Sequence, residues 1–556
     1  MDFEDVKDKV EGFLGLEKKP AEQPAGAEAA AAPAGAGTAQ PSGASAQAVI
    51  PHRTLLVHGY SASGTEFQAW KDALAGIQGV DVATIEIGNY ITLNNEVTIK
   101  DLGEAFDRAL RLTPWSSGSK DDLWTFDAVV HSTGMLVLRQ WLTSDPFPRN
   151  DPRSRVKRLK HLVGLAPATF GSPQGAKGRS WLGALVKGNR DFGPDFMNAG
   201  DLVLLGLELG SEYTWDLTLN DMLCDPPMYD QGDQTPYIAV FIGNVPYTGL
   251  AKLASSPGTD GTVRWAGCAL NTRMVRLDFR REPKLVDDQG NPTRAKISPW
   301  VDGRLACPML AVEGKNHGSI LAEPDPAVVV LVGDFLLKVN TDDTYRDWLT
   351  GAQAHSKGPQ EVMDKASVDG EYGGAGWQQF VLHVLDDHGD GVDDYNVQLF
   401  VGDDLSQSDD KDYPSVPLIA DTYSGDASYR CFYVRLDETM LSVGTPGNNK
   451  KVWMELIASS GTAYLEYEAY YNLGDAKPED NVQKLTPLRQ VSDPGTAVPD
   501  VVKLDLTDMG NAQLFYPYTT TLVEIVLERE PTPLQQVSDL FQFWQGNQKK
   551  NVVEGG

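Results

Sequence analysis

Residues 127–141, DAVVHSTGMLVLRQW, join a β-rich run to an amphipathic helical pattern with only His131-Ser132-Thr133-Gly134 between them. A strand that turns into a helix this abruptly holds the residue at the turn in a strained backbone conformation. It leaves little room for side chains two residues to either side. Gly134 meets that demand on the helix side, whereas Val130 stands where the motif G-x-S-x-G usually has its first glycine. A serine ending a strand by chance would give the same short pattern, so the surrounding sequence has to decide.

Outward from this turn, short apolar runs alternate with helical patterns between residues 50 and 347, the signature of βαβ units on a mostly parallel sheet. The expected strands are TLLVHG, VDVATIEIG, WTFDAVVHS, LKHLVGLAP, YIAVFIGNV and PMLAVEGKNHG. Helices are expected over 67–77, 99–112, 135–142 and 327–337, with Ile99, Leu102, Phe106 and Leu110 on one stripe. A Gly-rich insertion at about 171–236, containing LVLLGLELG, interrupts the alternation. It reads as a cap whose Trp181, Leu182, Leu185 and Trp215 would line an apolar pocket, with a plain helical core as the alternative.

Two further strand ends complement Ser132. About seventy residues earlier, His58-Gly59-Tyr60 follows a strand; the backbone N–H groups of Tyr60 and Thr133 are the natural pair of donors for an oxyanion. His58 itself reads as structural. After the last strand of the sheet, GKNHGSI places His317 in a loop bounded by Gly314 and Gly318, where an imidazole can take a serine proton and return it to a leaving group. Of the eight histidines, His317 alone has that place in chain order. A carboxylate should lie between the two in sequence. Asp260, between Gly258 and Gly261 in the loop after YIAVFIGNV, is the choice, with Asp302 and Asp233 as rivals.

The segments VHGYSASG, VVHSTGMLVLRQW, HLVGLAPATFGSP, GTDGTV and GKNHGSI together resemble the lipase and esterase branch of the α/β-hydrolases, in particular GPI-inositol-deacylase-like and lecithin:cholesterol acyltransferase-like lipases. The resemblance spans about residues 50–345. It implies an α/β-hydrolase fold with Ser132 as nucleophile, Asp260 as acid, His317 as base and Tyr60 and Thr133 as oxyanion donors. Val130 and Met135 depart from the glycines common at those elbow positions.

The rest of the chain of 556 residues frames this unit. Residues 1–19 carry Phe3, Val6, Val10, Phe13 and Leu14 at helical spacing, and an Ala/Pro/Gly-rich stretch over 20–49 reads as a disordered linker. A linker is expected over 348–375, where Gly, Lys and Gln recur. From 376 to 530, WQQFVLHVL, YNVQLFV, YRCFYVRL, KVWMELIAS, YLEYEAYY, VVKLDL and TTLVEIVLE follow one another without helices and suggest a β-sandwich accessory domain, with 531–556 as a tail. Asp386 to Asp394, DDHGDGVDD, invites a calcium reading but lacks the D-x-D-x-D-G pattern, and a Gly/Asp-rich hairpin explains it more simply.

Composition narrows the functions. A formal charge of −29 argues against nucleic acid and anionic membrane surfaces as partners. No apolar run approaches the roughly 20 residues of a spanning helix. Four scattered cysteines show neither a disulfide framework nor a zinc ribbon. No signal peptide is visible, which fits a cytoplasmic protein or one exported by a signal-peptide-independent route. The sequence thus leads to a serine ester hydrolase acting on small acyl esters or lipids, with no metal or organic cofactor. Acyl transfer by the same three residues, or a hydrolase-like binding scaffold with a degraded elbow, are the alternatives.

Overall fold

The computed structural model describes residues 52–57, 67–85, 96–119, 124–175, 200–230, 232–248, 256–297, 309–365, 374–402, 418–443, 450–462, 465–470, 482–485, 502–505, 514–531, 542–545 and 548–551. The helix and linker expected over 1–49 lie outside them.

The central sheet is built from β1 (His52–Val57), β2 (Val80–Ile85), β3 (Phe126–His131), β4 (Leu159–Leu165), β5 (Tyr237–Gly243) and, later in the chain, β10 (Met309–Val312). Its order is β10-β5-β4-β3-β1-β2, with every neighbouring pair parallel. Parallel strands covered on both faces read as continuous apolar runs, and β3 and β5 are buried at every position. Covering helices include Gln68–Ala75, Ile99–Leu110, Gly134–Thr143 and Pro326–Lys338. The second buries Ile99, Leu102, Phe106 and Leu110 and is opened by a capping box between Thr98 and Asp101.

The linker expected over 348–375 is largely a helix: Asp342–Lys365 is one continuous element. Its Gly351, Gly358 and Pro359 look like linker residues, but Tyr345, Leu349, Ala352, Ser356 and Met363 form a buried stripe. Ser356 Oγ accepts the Ala311 N–H at 2.6 Å, so the helix also covers the edge strand β10.

The C-terminal region forms two packed sheets. The larger contains β11 (Trp377–Asp386), β13 (Leu418–Thr422), β14 (Tyr429–Arg435), β16 (Leu465–Tyr470), β17 (Val482–Leu485) and β19 (Thr519–Pro531), in the order β13-β14-β11-β19-β16-β17. The smaller is β12 (Asp394–Gly402), β15 (Lys451–Ser459) and β18 (Val502–Asp505). Phe380, Leu382 and Val384 from the larger sheet meet Val397, Leu399, Val452, Met454 and Leu456 from the smaller in one core. The alternate residues of the larger sheet, Val381, Cys431, Tyr433 and Leu522, join the core of the α/β unit instead. The sheet is therefore apolar on both faces, one packed with the smaller sheet and the other with the α/β unit.

The expected boundary between the two regions is crossed by the chain itself. Strand β6 (Thr272–Asp278), from within the α/β segment, pairs parallel with β19 over Thr272–Thr520 to Asp278–Val526 and antiparallel with β9 (Ala295–Ile297). The described residues also include two short hairpins: β7 (Leu285–Val286) with β8 (Pro292–Thr293), and β20 (Gln542–Gln545) with β21 (Gln548–Asn551), the latter inside the expected tail.

Of the expected cap, 176–199 lies outside the described residues. The helices Asp201–Leu207 and Glu212–Asp221 are packed as core: Val203, Leu204, Leu207 and Leu209 join the main cluster. Trp215 rests edge-on against His383 and Tyr429 of the larger C-terminal sheet. The anchor is Arg139 on Gly134–Thr143, fully buried, which donates from Nε and Nη2 to Asp221 at 2.7 and 3.1 Å and from Nη1 to the Thr169 carbonyl at 2.7 Å. Asp221 also accepts the Tyr229 hydroxyl at 2.7 Å. Arg139→Met should lower stability by about 3–5 kcal/mol because it strands a buried carboxylate, and Arg139→Met/Asp221→Leu should recover most of the loss. Urea unfolding midpoints of the two variants check both.

Candidate active site

Ser132 follows the last residue of β3 and adopts φ 52°, the left-handed region that a β-to-helix elbow imposes. Three hydrogen bonds hold it there. The Ser132 N–H donates to the Leu165 carbonyl at 3.3 Å, and the Ser132 carbonyl accepts from Ala168 at 3.1 Å and Met135 at 3.3 Å. Val130, in the place of the missing glycine, is fully buried in the strand and does not prevent the turn. Thr133 is the N-cap residue of Gly134–Thr143, so its backbone lies at the positive end of the helix dipole. Tyr60 lies outside the described residues.

His317 sits on the loop after β10. Its Nε2 is 3.1 Å from Ser132 Oγ, and its Nδ1 donates to Asp260 Oδ2 at 2.9 Å. All three side chains are buried, Asp260 completely. The main chain repeats the link, the His317 N–H donating to the Asp260 carbonyl at 3.0 Å. Asp260 Oδ1 accepts the N–H groups of Thr262 and Val263 at 2.9 and 2.8 Å, which fixes the carboxylate and leaves Oδ2 for the imidazole. With Nδ1 donating, Nε2 carries the lone pair that faces the serine hydroxyl. The arrangement can accept a proton from Ser132 and stabilise the resulting imidazolium. Of the rival acids, Asp302 and the side chain of Asp233 lie outside the described residues.

Several residues that sequence reasoning passed over set this geometry. His131 donates from Nε2 to the His317 carbonyl at 3.1 Å, its ring 4.8 Å from that of His317. Gly243, the last residue of β5, lies so close to the His317 loop that a methyl group there would overlap the Lys315 carbonyl. The acid loop is gripped from the C-terminal sheet: the Tyr433 hydroxyl donates to the Gly258 carbonyl at 2.7 Å, and Trp377 and Tyr433 pack where a Gly258 side chain would be, at φ 68°. Arg264, buried, lies over the Tyr433 ring at 4.6 Å and pairs with Asp421. The two glycines of GTDG were visible in sequence; the partners of Gly258, Trp377 and Tyr433, lie more than a hundred residues away.

The DDHGDGVDD loop holds a guanidinium: Arg529 Nη1 is 2.7 Å from Asp386 and 3.7 Å from Asp390. Asp386 Oδ1 accepts the N–H groups of His388 and Asp390, as a tight connection between β11 and β12 requires. One positive charge beside Asp386 is thus provided by the protein.

The sequence matches no family model and no curated protein. Among solved structures, the fold is similar to that of phospholipase PlaB from Legionella pneumophila, at 20% identity over 90% of this chain and 99% of that chain, with a TM-score of 0.61. The same enzyme in complex with thio-NAD gives the same values. The mature form of the Bacillus licheniformis lipase BlEst2 is 14% identical over 52% of this chain and 93% of that chain, with a TM-score of 0.33. The likeness to PlaB is one of fold.

Gly243→Ala should push the His317 loop off its position. Labelling of Ser132 by a fluorophosphonate probe should slow roughly tenfold or more, with overpacking costing about 1–3 kcal/mol of stability. Time-resolved labelling beside a urea titration measures both.

Proposed function

We propose that the protein is a serine ester hydrolase of the lipase type, cleaving acyl esters of lipids, phospholipids among them, through an acyl-enzyme on Ser132. The observation that carries this is the continuous hydrogen-bonded line from Ser132 Oγ through His317 to a completely buried Asp260, with distances of 3.1 and 2.9 Å, at a serine of positive φ. A degraded scaffold would have no reason to retain the strained turn, which costs about 1–3 kcal/mol. The phospholipid substrate class draws support from the fold shared with a phospholipase. The motif resemblance to GPI-inositol-deacylase-like and lecithin:cholesterol acyltransferase-like lipases points to the same chemistry.

In this reading His317 Nε2 takes the Ser132 proton as Oγ bonds to the ester carbonyl carbon. The N–H groups of Thr133 and Tyr60 receive the charge that develops on the carbonyl oxygen. The tetrahedral species collapses by breaking the bond to the alcohol, which leaves with the proton from His317. Water, deprotonated by the same imidazole, then attacks the acyl-serine and releases the acid. Asp260 holds the imidazole tautomer throughout. The steps draw on no metal or organic cofactor.

Ser132→Ala and His317→Ala should each lower ester hydrolysis by at least ~10⁴-fold, with a smaller but large loss for Asp260→Asn. Release of p-nitrophenol from p-nitrophenyl esters and of fatty acid from phospholipid vesicles are the measurements. Full activity in Ser132→Ala would overturn the proposal. A product ester formed from an added alcohol would indicate acyl transfer in place of hydrolysis.

A further inference from the structure

At the opposite end of the parallel sheet from Ser132, three neighbouring strands bring together His52 at the start of β1, Asp127 near the start of β3 and His161 in β4. Asp127 and His161 are buried and His52 is partly exposed. Their ligand atoms lie within 4.8 Å of one another. We propose that these three residues bind a divalent transition metal ion, zinc being the ion their donors suit, in a site that ties the strand ends together.

The hydrogen positions on His161 carry the argument. Its Nε2 lies 2.6 Å from the Val339 carbonyl oxygen, which can only accept, so the hydrogen is on Nε2. Its Nδ1 lies 2.6 Å from Asp127 Oδ1. A neutral imidazole would therefore set a lone pair against a carboxylate lone pair in a buried place, and a positive centre has to sit between them. A proton or a metal ion meets that need. The second carboxylate oxygen faces another imidazole nitrogen, His52 Nδ1, at 3.3 Å, which places two imidazole nitrogens around one carboxylate. Convergence of two imidazole nitrogens on one carboxylate, one of them held by an N–H to carbonyl bond on its far side, is the arrangement of a zinc site with its supporting shell.

Two further features fit. The β3–β4 register shifts between Phe126 and Ala128, where Leu159 and Leu162 are the partners, so one extra residue of β4 is accommodated at the level of Asp127. Such bulges re-aim side chains. A cavity of about 610 Å³, lined also by Trp124, Lys160 and Tyr237, adjoins the cluster and leaves room for a water as fourth ligand. Ligand atoms around a tetrahedral zinc are roughly 3.3 Å apart, so binding requires the His161–Asp127 separation to open by less than about 1 Å. In the other group with ligand-like spacing among the described residues, Asp386, His388 and Asp390, both carboxylates already face Arg529. Five residues of strand, about 16 Å, separate Asp127 from Ser132, so the ion acts on the fold and not on the ester.

The test uses the full chain, stripped with a chelator and titrated with cobalt(II) as a spectroscopic probe of the zinc site. The expected result is one cobalt per chain with visible absorption, displaced by zinc. Affinity should fall at least tenfold in His52→Gln and more in Asp127→Asn, and should be unchanged in Ser132→Ala and Asp386→Asn. Because Asp127 is buried and its replacement can unfold the chain, the partly exposed His52 keeps the test decisive. No uptake by the wild-type chain, uptake unaffected by His52→Gln, or uptake abolished by Asp386→Asn would each overturn the proposal.

Discussion

The left-handed turn at Ser132 is the constraint on which the site depends. It would relax were the strand ends around it free. They are not: Ala166, at the end of the neighbouring strand, also has positive φ, 44°, and its N–H donates to the Phe241 carbonyl at 2.7 Å. Leu165 and Ala168, on either side of it, hold the Ser132 N–H and carbonyl. Two unfavourable backbone conformations are thus offset by one ladder of buried hydrogen bonds across β3, β4 and β5. The same ladder ends at Gly243, whose lack of a side chain lets the His317 loop settle beside it. The meeting of hydroxyl and imidazole is therefore a property of sheet register more than of either residue alone.

The carboxylate arm has a different support. Asp260 is held by its own loop, but that loop is fixed by the larger C-terminal sheet through Tyr433, Trp377 and Arg264, and the Thr520 hydroxyl adds a bond to the Ala266 carbonyl at 3.3 Å. Immediately after this loop the chain enters that sheet as β6. A sheet that receives a strand from the α/β segment and grips its acid loop is part of the site's framework. Loss of packing there would reach the imidazole through Asp260.

What the sequence revealed follows from where the determinants are local. Ser132, Asp260 and His317 stood out because turn glycines, strand ends and chain order are all written nearby, and the structure brings their side chains within hydrogen-bonding distance. The helix Asp342–Lys365 was missed because Gly351, Gly358 and Pro359 signal a linker while the buried stripe beneath them is set by tertiary packing. Strand β6 was missed because Arg273 and Arg276 break its apolar pattern; their partners, the Leu514 carbonyl and Glu524, lie over two hundred residues away. The length of the insertion and its place between two strands suit a cap and a helical core alike. Which surface covers it depends on Arg139 and Asp221 meeting across a long sequence interval.

Strand β3 connects the two ends of the sheet, and its register links what happens at each. Past the irregularity at Asp127 the pairing with β4 is regular from Ala128–Leu162 to His131–Leu165, which sets the Leu165 carbonyl opposite the Ser132 N–H. Without the extra residue of β4 at the level of Asp127, Gly164 or Ala166 would take the place of Leu165, and every side chain beyond would change face. The contacts of Asp127 with His52 and His161 hold the irregularity where it is. Open α/β sheets place their chemistry at the carboxyl ends of the strands, which frees the amino ends to serve stability. Here the amino-end cluster serves it in a specific way, by fixing the one offset that aligns the elbow with its hydrogen-bonding partners.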